Sequence, residues 1–490
     1  MSTQPQLFVP LWIRYEIAPF LHGKGACYGT QGTPICNPAA KSKEFFTIYA
    51  DNDRVLSNAV IDNQESFFRL FAKQTLDHVV LGPKATKDLA SIKLAKDRLR
   101  PGGVLIMFDD RQFAGSQMVC EGWHLMCNHP DFNPVLPKNS VAVIRYGAFG
   151  DLTMITPLLV QCKMSGEHVT LYTQPYAKAV LDNNPHIDRI LLQEKDCIAL
   201  QELDKYFAYI KTKYNRFIDL CESIEGSMLK IESRREFYMP KEWRDKTCSE
   251  NYYRKTLRLG GFPDVAEAPI IRGAFYLSSS EKAWAENEFN KLSDNGRNWV
   301  WGWALHGTSH HKCYPLSQPL LYSYLADHPD ERVVLLGDAG HVGMQFDHPQ
   351  VISRAGVYSI RQLIAILARV DGVVSPESFI ANAAAAWDKP TITLLSHSSR
   401  ENLCSTWKYD YSLEPDQVIA PCFPCHQLHY TPQSCPQREI IDTDTNEVVV
   451  AGAACTIGAI SMEALAARMT EVRNAFRPKN PSNIEAASTA

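Results

Sequence analysis

The sequence predicts an α/β protein built from parallel sheets, and three observations carry that prediction. Apolar runs of strand length alternate with helical stretches along most of the chain. Several strands run directly into short glycine-bearing turns, as in VIRYGAFGD and VVLLGDAG. The composition is globular, 45% hydrophobic and 21% charged. A length of 490 residues, at about 100–200 per domain, suggests about three domains. Disordered, collagen-like and disulfide-scaffold classes are excluded for the chain as a whole.

Residues 1–115 open with the apolar run FFTIYADND and the strand DHVVLGP. The helical stretch KDLASIKLAKDRL follows, then the turn Pro101-Gly102-Gly103 and the strand GGVLIMF. Strand, helix, LRPGG, strand resembles the second half of a class I methyltransferase domain. The half that would hold the cofactor is weak, because LHGKGACYGTQGTPICNP offers no clean strand-GxGxG-helix arrangement. Asp51 or Asp53 could stand where an acid grips a ribose. The domain is expected to be degenerate and non-catalytic, with S-adenosylmethionine binding as the alternative.

Residues 116–138 are rich in turn residues and carry prolines at 130, 134 and 137, which predicts a linker. Cys120, His124, Cys127 and His129 have metal-like spacing, but a packed linker is the favoured reading. From Asn139 a new α/β unit begins, with the strand SVAVIRY, the turn GAFGD and the helix LTMITPLLVQCKMSG. EHVTLYTQP, DRILLQ and NRFIDLC are its further strands. A second such unit, joined around residues 268–290, runs through WVWGWALHG, ERVVLLGDAG, SIRQLIAILARVDGVVS and PTITLLS. Two units of this kind predict two facing Rossmann-like domains, with ligands beyond the carboxyl ends of the strands.

Four ordered segments over about 260 residues then bring a family into view: VIRYGAFGDLTMITP, NNPHIDRILL, ALHGTSHHKCYP and LIAILARVDGVVSPESFIANAAAAWDKPTITLLS. Together they resemble glycosyltransferase family 9, the ADP-heptose heptosyltransferases. The resemblance implies the GT-B architecture and transfer with inversion at the sugar. The expected domains are therefore 1–115, methyltransferase-like; 139–275, the acceptor half of GT-B; and 276–410, its nucleotide-sugar half. Residues 411–475 are expected to form a Cys-rich metal finger and C-terminal helix, and 476–490 a disordered tail.

Such a transfer needs a base for the acceptor hydroxyl and positive charge for the departing diphosphate. Asp151, in a turn between strand and helix, can project a carboxylate into a cleft, and the resemblance makes it the general base. The competing reading is a helix-start residue satisfying the dipole. Lys312 matches the family lysine that faces the donor phosphates, with Thr308 and Ser309 in the same loop. SPESFIANAAAA opens an Ala-rich helix whose free N–H groups offer a diphosphate site. The family pattern there is an acid, a Ser or Thr, a glycine and a later histidine, and this chain has Glu377, Ser378, Phe379 and Asn382. Phe379 narrows the backbone approach and Asn382 removes a possible cation, which leaves the donor's identity open. Glu377 beside a diphosphate is unfavourable unless it points at ribose or a lysine. His306, His310 and His311 have no standard zinc spacing and read as loop histidines near a phosphate.

Ten of the fourteen cysteines are scattered, but Cys422, Cys425, Cys435 and Cys455 form a CxxC knuckle with two later thiols. Four thiolates are the set used by structural zinc or iron. A cluster of this kind behind a family 9 region resembles the bacterial autotransporter heptosyltransferases. The resemblance implies a structural iron, with zinc second, and transfer of heptose to protein hydroxyls. The spacing from the second to the third cysteine is short, and His426 or His429 could replace a thiolate.

Fifty Lys and Arg against 54 Asp and Glu give a net charge of −4, which predicts no general nucleic-acid binding. The start of the chain has no secretory signal pattern, and no run of about 18 apolar residues predicts a span. The chain is expected to be cytoplasmic, with homo-oligomerisation left open. Its expected partners are a nucleotide-sugar donor, with ADP-heptose implied by the resemblance, and a protein Ser/Thr or glycan acceptor. Lipopolysaccharide-core transfer, a non-catalytic binding module and a bifunctional methylating enzyme are the rival readings.

Overall fold

A computed structural model describes residues 136–192, 202–220, 235–307, 312–338, 346–428 and 459–477. It also describes the shorter stretches 25–28, 45–46, 73–74, 76–81, 89–109, 118–120, 123–127, 230–231, 439–441 and 448–451, with Ile198, Ser309, Cys435 and Cys455. Two compact units divide the chain. The first comprises Met1–Tyr146, Cys162–Lys178 and Pro185–Asp219; the second comprises Gly147–Gln161, Ala179–Asn184 and Leu220–Ala490.

The first unit holds two sheets. One contains β1 (Gly25–Tyr28), β2 (Phe45–Phe46), β3 (Leu76–Leu81), β4 (Leu99–Asp109), β5 (Met118–Cys120) and β6 (Trp123–Cys127), in the order β2-β1-β3-β4-β6-β5. Helix α1 (Leu89–Arg98) connects the parallel neighbours β3 and β4. Leu76, Val79, Leu81, Leu105 and Met107 of these strands form its core with Ala95 of the helix. The stretch read as a linker differs: β5 and β6 form an antiparallel pair, and β6 pairs with β4. Backbone N–H and C=O groups left at a sheet edge favour such a pairing even where the side chains read as loop. Of the half expected to hold the cofactor, β1 and β2 are described, whereas Asp51 and Asp53 lie outside the described residues.

The other sheet contains β7 (Ser140–Ile144), β8 (His168–Thr173), β9 (Arg189–Leu192) and β10 (Arg216–Asp219). Its order is β10-β7-β8-β9, and all pairs are parallel. β7 is buried at every position, as a strand covered on both faces must be. It leads into α2 (Phe149–Met164), which contains Pro157. Proline removes the N–H that would bond the carbonyl of Thr153. The Thr156 hydroxyl donates to that carbonyl instead, at 2.7 Å, and also accepts the Ala274 N–H at 2.8 Å. The Thr-Pro pair thus places a proline inside the helix without leaving the Thr153 carbonyl unsatisfied.

After α3 (Leu203–Lys211), the second unit has the two-residue strand β11 (Lys230–Ile231) and helices α4 (Lys241–Cys248), α5 (Tyr252–Leu259), α6 (Ser279–Leu292), α7 (Ser317–Ala326) and α8 (Ile360–Leu367). It is built on β12 (Trp299–Ala304), β13 (Glu331–Leu336), β14 (Val351–Ser353), β15 (Gly372–Pro376) and β16 (Thr391–Leu394). The order is β14-β13-β12-β15-β16, and every pair is parallel. Chain progress therefore reverses between β12 and β15, a topological switch point where ligands of such sheets bind. One face packs Trp299, Trp301, Trp303, Val333 and Ile392 against Leu465, Met469 and Val472 of the C-terminal helix (Met462–Phe476). Those three helix positions lie four and three residues apart, a single apolar stripe. Among the described residues no helix is long and apolar enough to cross a membrane.

Candidate active site and cysteine cluster

Three turns of the second unit bring the candidate residues together. The first opens α2. Asp151, in the first turn of that helix, accepts the Ala148 N–H on Oδ2 at 2.6 Å. A Cβ on Gly147 would stand 2.3 Å from the Asp151 Cβ and 2.6 Å from its Oδ2, so only glycine lets the carboxylate fold back over the turn. The bond to Ala148 satisfies an otherwise unpaired N–H at a helix start, the structural role weighed against catalysis above. The two roles are compatible, since a carboxylate has several acceptor positions.

The second turn follows β12. Gly307 N–H donates to the Lys312 carbonyl and Lys312 N–H to the Ser309 carbonyl, both at 3.0 Å. His306 and Cys313 form the bridge that closes this loop. A Cβ on Gly307 would lie 2.8 Å from the Lys312 Cδ and 3.6 Å from the Glu377 carbonyl oxygen, so the lysine stem rests over the segment that ends β15. Burial pushes the Lys312 ammonium below the ordinary lysine range, and the charges of Glu377 and Asp151 oppose that shift. The Ser309 hydroxyl is buried with no hydrogen-bond partner among the described residues. Thr308, His310 and His311 lie outside those residues.

The third turn leads from β15 into α9 (Phe379–Ala386), the helix that follows the last residues of the strand. Ser378 caps it, accepting the Ile380 N–H at 3.1 Å, and pairs with the Ser375 hydroxyl at 2.8 Å. The Phe379 ring packs on Phe149, centroids 5.5 Å apart, and on Phe275 at 6.2 Å. Asn382 accepts from the Tyr253 hydroxyl at 3.0 Å and donates to the Ser378 carbonyl at 3.1 Å. A Cβ on Gly150 would be 3.8 Å from Asn382 Nδ2 and 3.9 Å from the Phe379 Cα. The glycine turn of α2 thus lies directly against the start of α9. The acid Asp151, the cation Lys312 and a capped helix start share one locality.

Glu377 does something the sequence did not reveal. One carboxylate oxygen accepts three consecutive N–H groups, from Ser396 at 2.6 Å, His397 at 3.0 Å and Ser398 at 3.1 Å. The other is paired with the His397 ring. Burial would raise this carboxyl's pKa, but His397, Lys312 and the Ser396 N–H together hold it well below the usual range. Glu377 is therefore an ionised anchor for the loop after β16. The sequence signal was SHSS, a polar run at the carboxyl end of the last parallel strand.

The four tail cysteines are all described, and all are free thiols. Cys425, Cys435 and Cys455 are buried and Cys422 is partly so. Burial pushes Cys425 up to about 12, and the charges of Cys422 and Cys435 add to it. Burial also raises Cys455, followed by the charges of Cys425, Cys435 and Cys422. Four thiols are a soft donor set of the kind suited to iron or zinc. Among the described residues no three His, Cys, Asp or Glu side chains close into a metal-ligating arrangement. The knuckle is braced from α4 (Lys241–Cys248): Lys241 donates to the Pro424 carbonyl at 3.0 Å and Arg244 to the Cys425 carbonyl at 2.8 Å. His426 lies buried beside it, and His429 is outside the described residues.

No family model matches the chain, and no curated protein matches its sequence. Among solved structures it is similar to the E. coli ADP-heptose lipopolysaccharide heptosyltransferase II, with 13% identity, 68% of this chain and 98% of that one covered, and a TM-score of 0.45. A glycosyl transferase family 9 protein from Veillonella parvula gives 14% identity, 69% and 98% coverage, and a TM-score of 0.47. The dodecameric iron-containing heptosyltransferase TibC, solved with ADP-D-beta-D-heptose, gives 10%, 72% and 83%, with a TM-score of 0.45.

Proposed function

We propose that this chain is an inverting glycosyltransferase of the GT-B type, which moves a sugar from a nucleoside diphosphate to a hydroxyl acceptor. The observation that carries the reading is the gathering of Asp151, Lys312 and the start of α9 near the loops that leave the neighbouring strands β12 and β15. Asp151 takes the acceptor proton as the oxygen attacks the anomeric carbon. Lys312 and the N–H groups at the helix start stabilise the diphosphate as the glycosidic bond breaks. The buried Ser309 hydroxyl, which has no hydrogen-bond partner among the described residues, is a further donor for a phosphate oxygen. The family 9 resemblance supports ADP-heptose as donor, and the resemblance of the cysteine cluster to the autotransporter heptosyltransferases supports protein Ser or Thr as acceptor. Intact-mass analysis of candidate acceptors incubated with a panel of nucleotide sugars tests all three claims together. A heptose increment with ADP-heptose alone is the expected result.

Cys422, Cys425, Cys435 and Cys455 would hold one structural iron or zinc in this reading. When bound, the ion supplies cross-linking of distant chain segments and no chemical step, since four thiolates leave no open position. Protein purified without added metal is expected to contain close to one equivalent. Cys425→Ser should lower both that content and the melting temperature. Metal-free protein whose four thiols all alkylate in the folded state would remove the site.

A second reading is a binding module without transfer activity. It is favoured by the internal commitment of Asn382 and Glu377, where the family pattern has donor ligands. Nucleotide binding with no mass increment on any acceptor is its signature.

A further inference from the structure

Loop 396–398 plays no part in the reaction described above, yet it touches both the candidate donor site and the cysteine knuckle. His397 lies at the junction. Its ring pairs with one oxygen of Glu377, and its N–H donates to the other. Its carbonyl accepts the N–H of His426, next to Cys425, at 2.9 Å. Both His397 and Glu377 are buried, 2% and 4% exposed. A Cβ on Gly307 would meet both the Lys312 stem and the Glu377 carbonyl oxygen, so both lie close to that glycine. One residue thus stands between the lysine and the thiols.

We propose that His397 is a positioning residue that couples the two: its ring fixes the carboxylate of Glu377, the residue whose main chain lies near the Lys312 stem, and its carbonyl fixes the knuckle at His426. This inference rests on the reading of Lys312 as a diphosphate ligand. Without its ring partner this buried carboxylate keeps only the three main-chain donors on its other oxygen, which weakens the hold on its charge and orientation. Lys312 would then lose the counter-charge that keeps a partly buried ammonium protonated. The coupling is reciprocal by linkage, so a diphosphate bound at Lys312 orders the knuckle, and an ordered knuckle strengthens diphosphate binding.

The test uses the full chain as purified, with ADP as the probe. Calorimetry measures its affinity, and hydrogen exchange is followed in residues 422–428 with and without it. His397→Asn places an amide donor near the position of Nδ1, whereas His397→Leu removes it. The Leu variant should bind ADP about tenfold more weakly, within the usual span of site-to-site coupling. The Asn variant should stay close to wild type. ADP should slow exchange at 422–428 in wild type and in the Asn variant but not in the Leu variant. Equal ADP affinity in all three, or equal slowing in the Leu variant, overturns the coupling. If the Leu variant does not fold, Glu377→Gln takes its place, because it keeps an acceptor for the three N–H groups and loses the charge. Undiminished slowing there overturns the coupling as well. If wild type binds no ADP, the donor reading fails by itself, and exchange without ligand decides the rest. Faster exchange at 422–428 in the Leu than in the Asn variant then supports the junction, and equal rates overturn it.

Discussion

Single residues carry the chemical claims, and each has a distinct signature. Asp151→Asn keeps the shape of the side chain and its acceptor for the Ala148 N–H but removes the base. Turnover should fall by about 10²–10⁴-fold, the typical share of general base catalysis, with nucleotide affinity nearly unchanged. Wild-type turnover in the Asn variant would exclude Asp151 as the base. Lys312→Ala should weaken ADP and sugar nucleotide alike, because both present the same diphosphate. The pH dependence of binding has a definite sign. Burial lowers the Lys312 pKa, so the cation is lost as pH rises through a value below the ordinary lysine range. ADP affinity should therefore decline on the alkaline side in wild type, and that decline should be absent in the Ala variant. Titration calorimetry across the alkaline range measures both.

At the scale of elements, the parallel strands were legible because buried β-branched runs and glycine turns are local signals. The strands at Ser140–Ile144, Trp299–Ala304 and Gly372–Pro376 fall where the sequence placed them. The pair Met118–Cys120 and Trp123–Cys127 was not legible, because its strands are short and its pairing depends on the exposed edge of β4. In the candidate site, Asp151, Lys312 and Ser378 could be named from their turns. The anchoring by Glu377 could not, because its partners are main-chain N–H groups about twenty residues onward. The same limit hid the docking of the C-terminal helix. Arg473 is ion-paired with the fully buried Glu331 at 2.6 Å and donates to Asp330 at 3.0 Å. Glu331 also accepts from Trp301 Nε1 at 2.6 Å. Arg473→Met leaves a buried carboxylate without its cation and should cost about 3–5 kcal/mol in denaturant unfolding. Adding Glu331→Gln should recover part of that loss, and an additive double variant would show that the two side chains are not coupled.

Across the second unit, one arginine ties together segments that lie far apart in sequence. Arg361 pairs with Glu281 through two hydrogen bonds, at 2.7 and 2.8 Å. It also donates to the carbonyls of Tyr276 at 2.7 Å and Ala179 at 3.2 Å. Glu281 closes a capping box as well, accepting the Ser278 N–H at 2.7 Å while its own N–H bonds the Ser278 hydroxyl. The Arg361 hydrogen bonds lower the Glu281 pKa to about 2, against partial burial that acts the other way. A carboxyl whose folded pKa is depressed binds fewer protons than its unfolded form between the two values. Its stabilisation is therefore complete above the unfolded value of about 4.3 and disappears as pH falls through the folded one. Glu281→Gln keeps much of the shape but not the charge. The variant should melt below wild type at pH 6, the gap should narrow as pH falls below about 4, and it should be nearly closed near pH 2. Paired thermal scans over that range check it. A gap that stays constant with pH would mean that the capping geometry, rather than the Arg361 charge, is what Glu281 contributes.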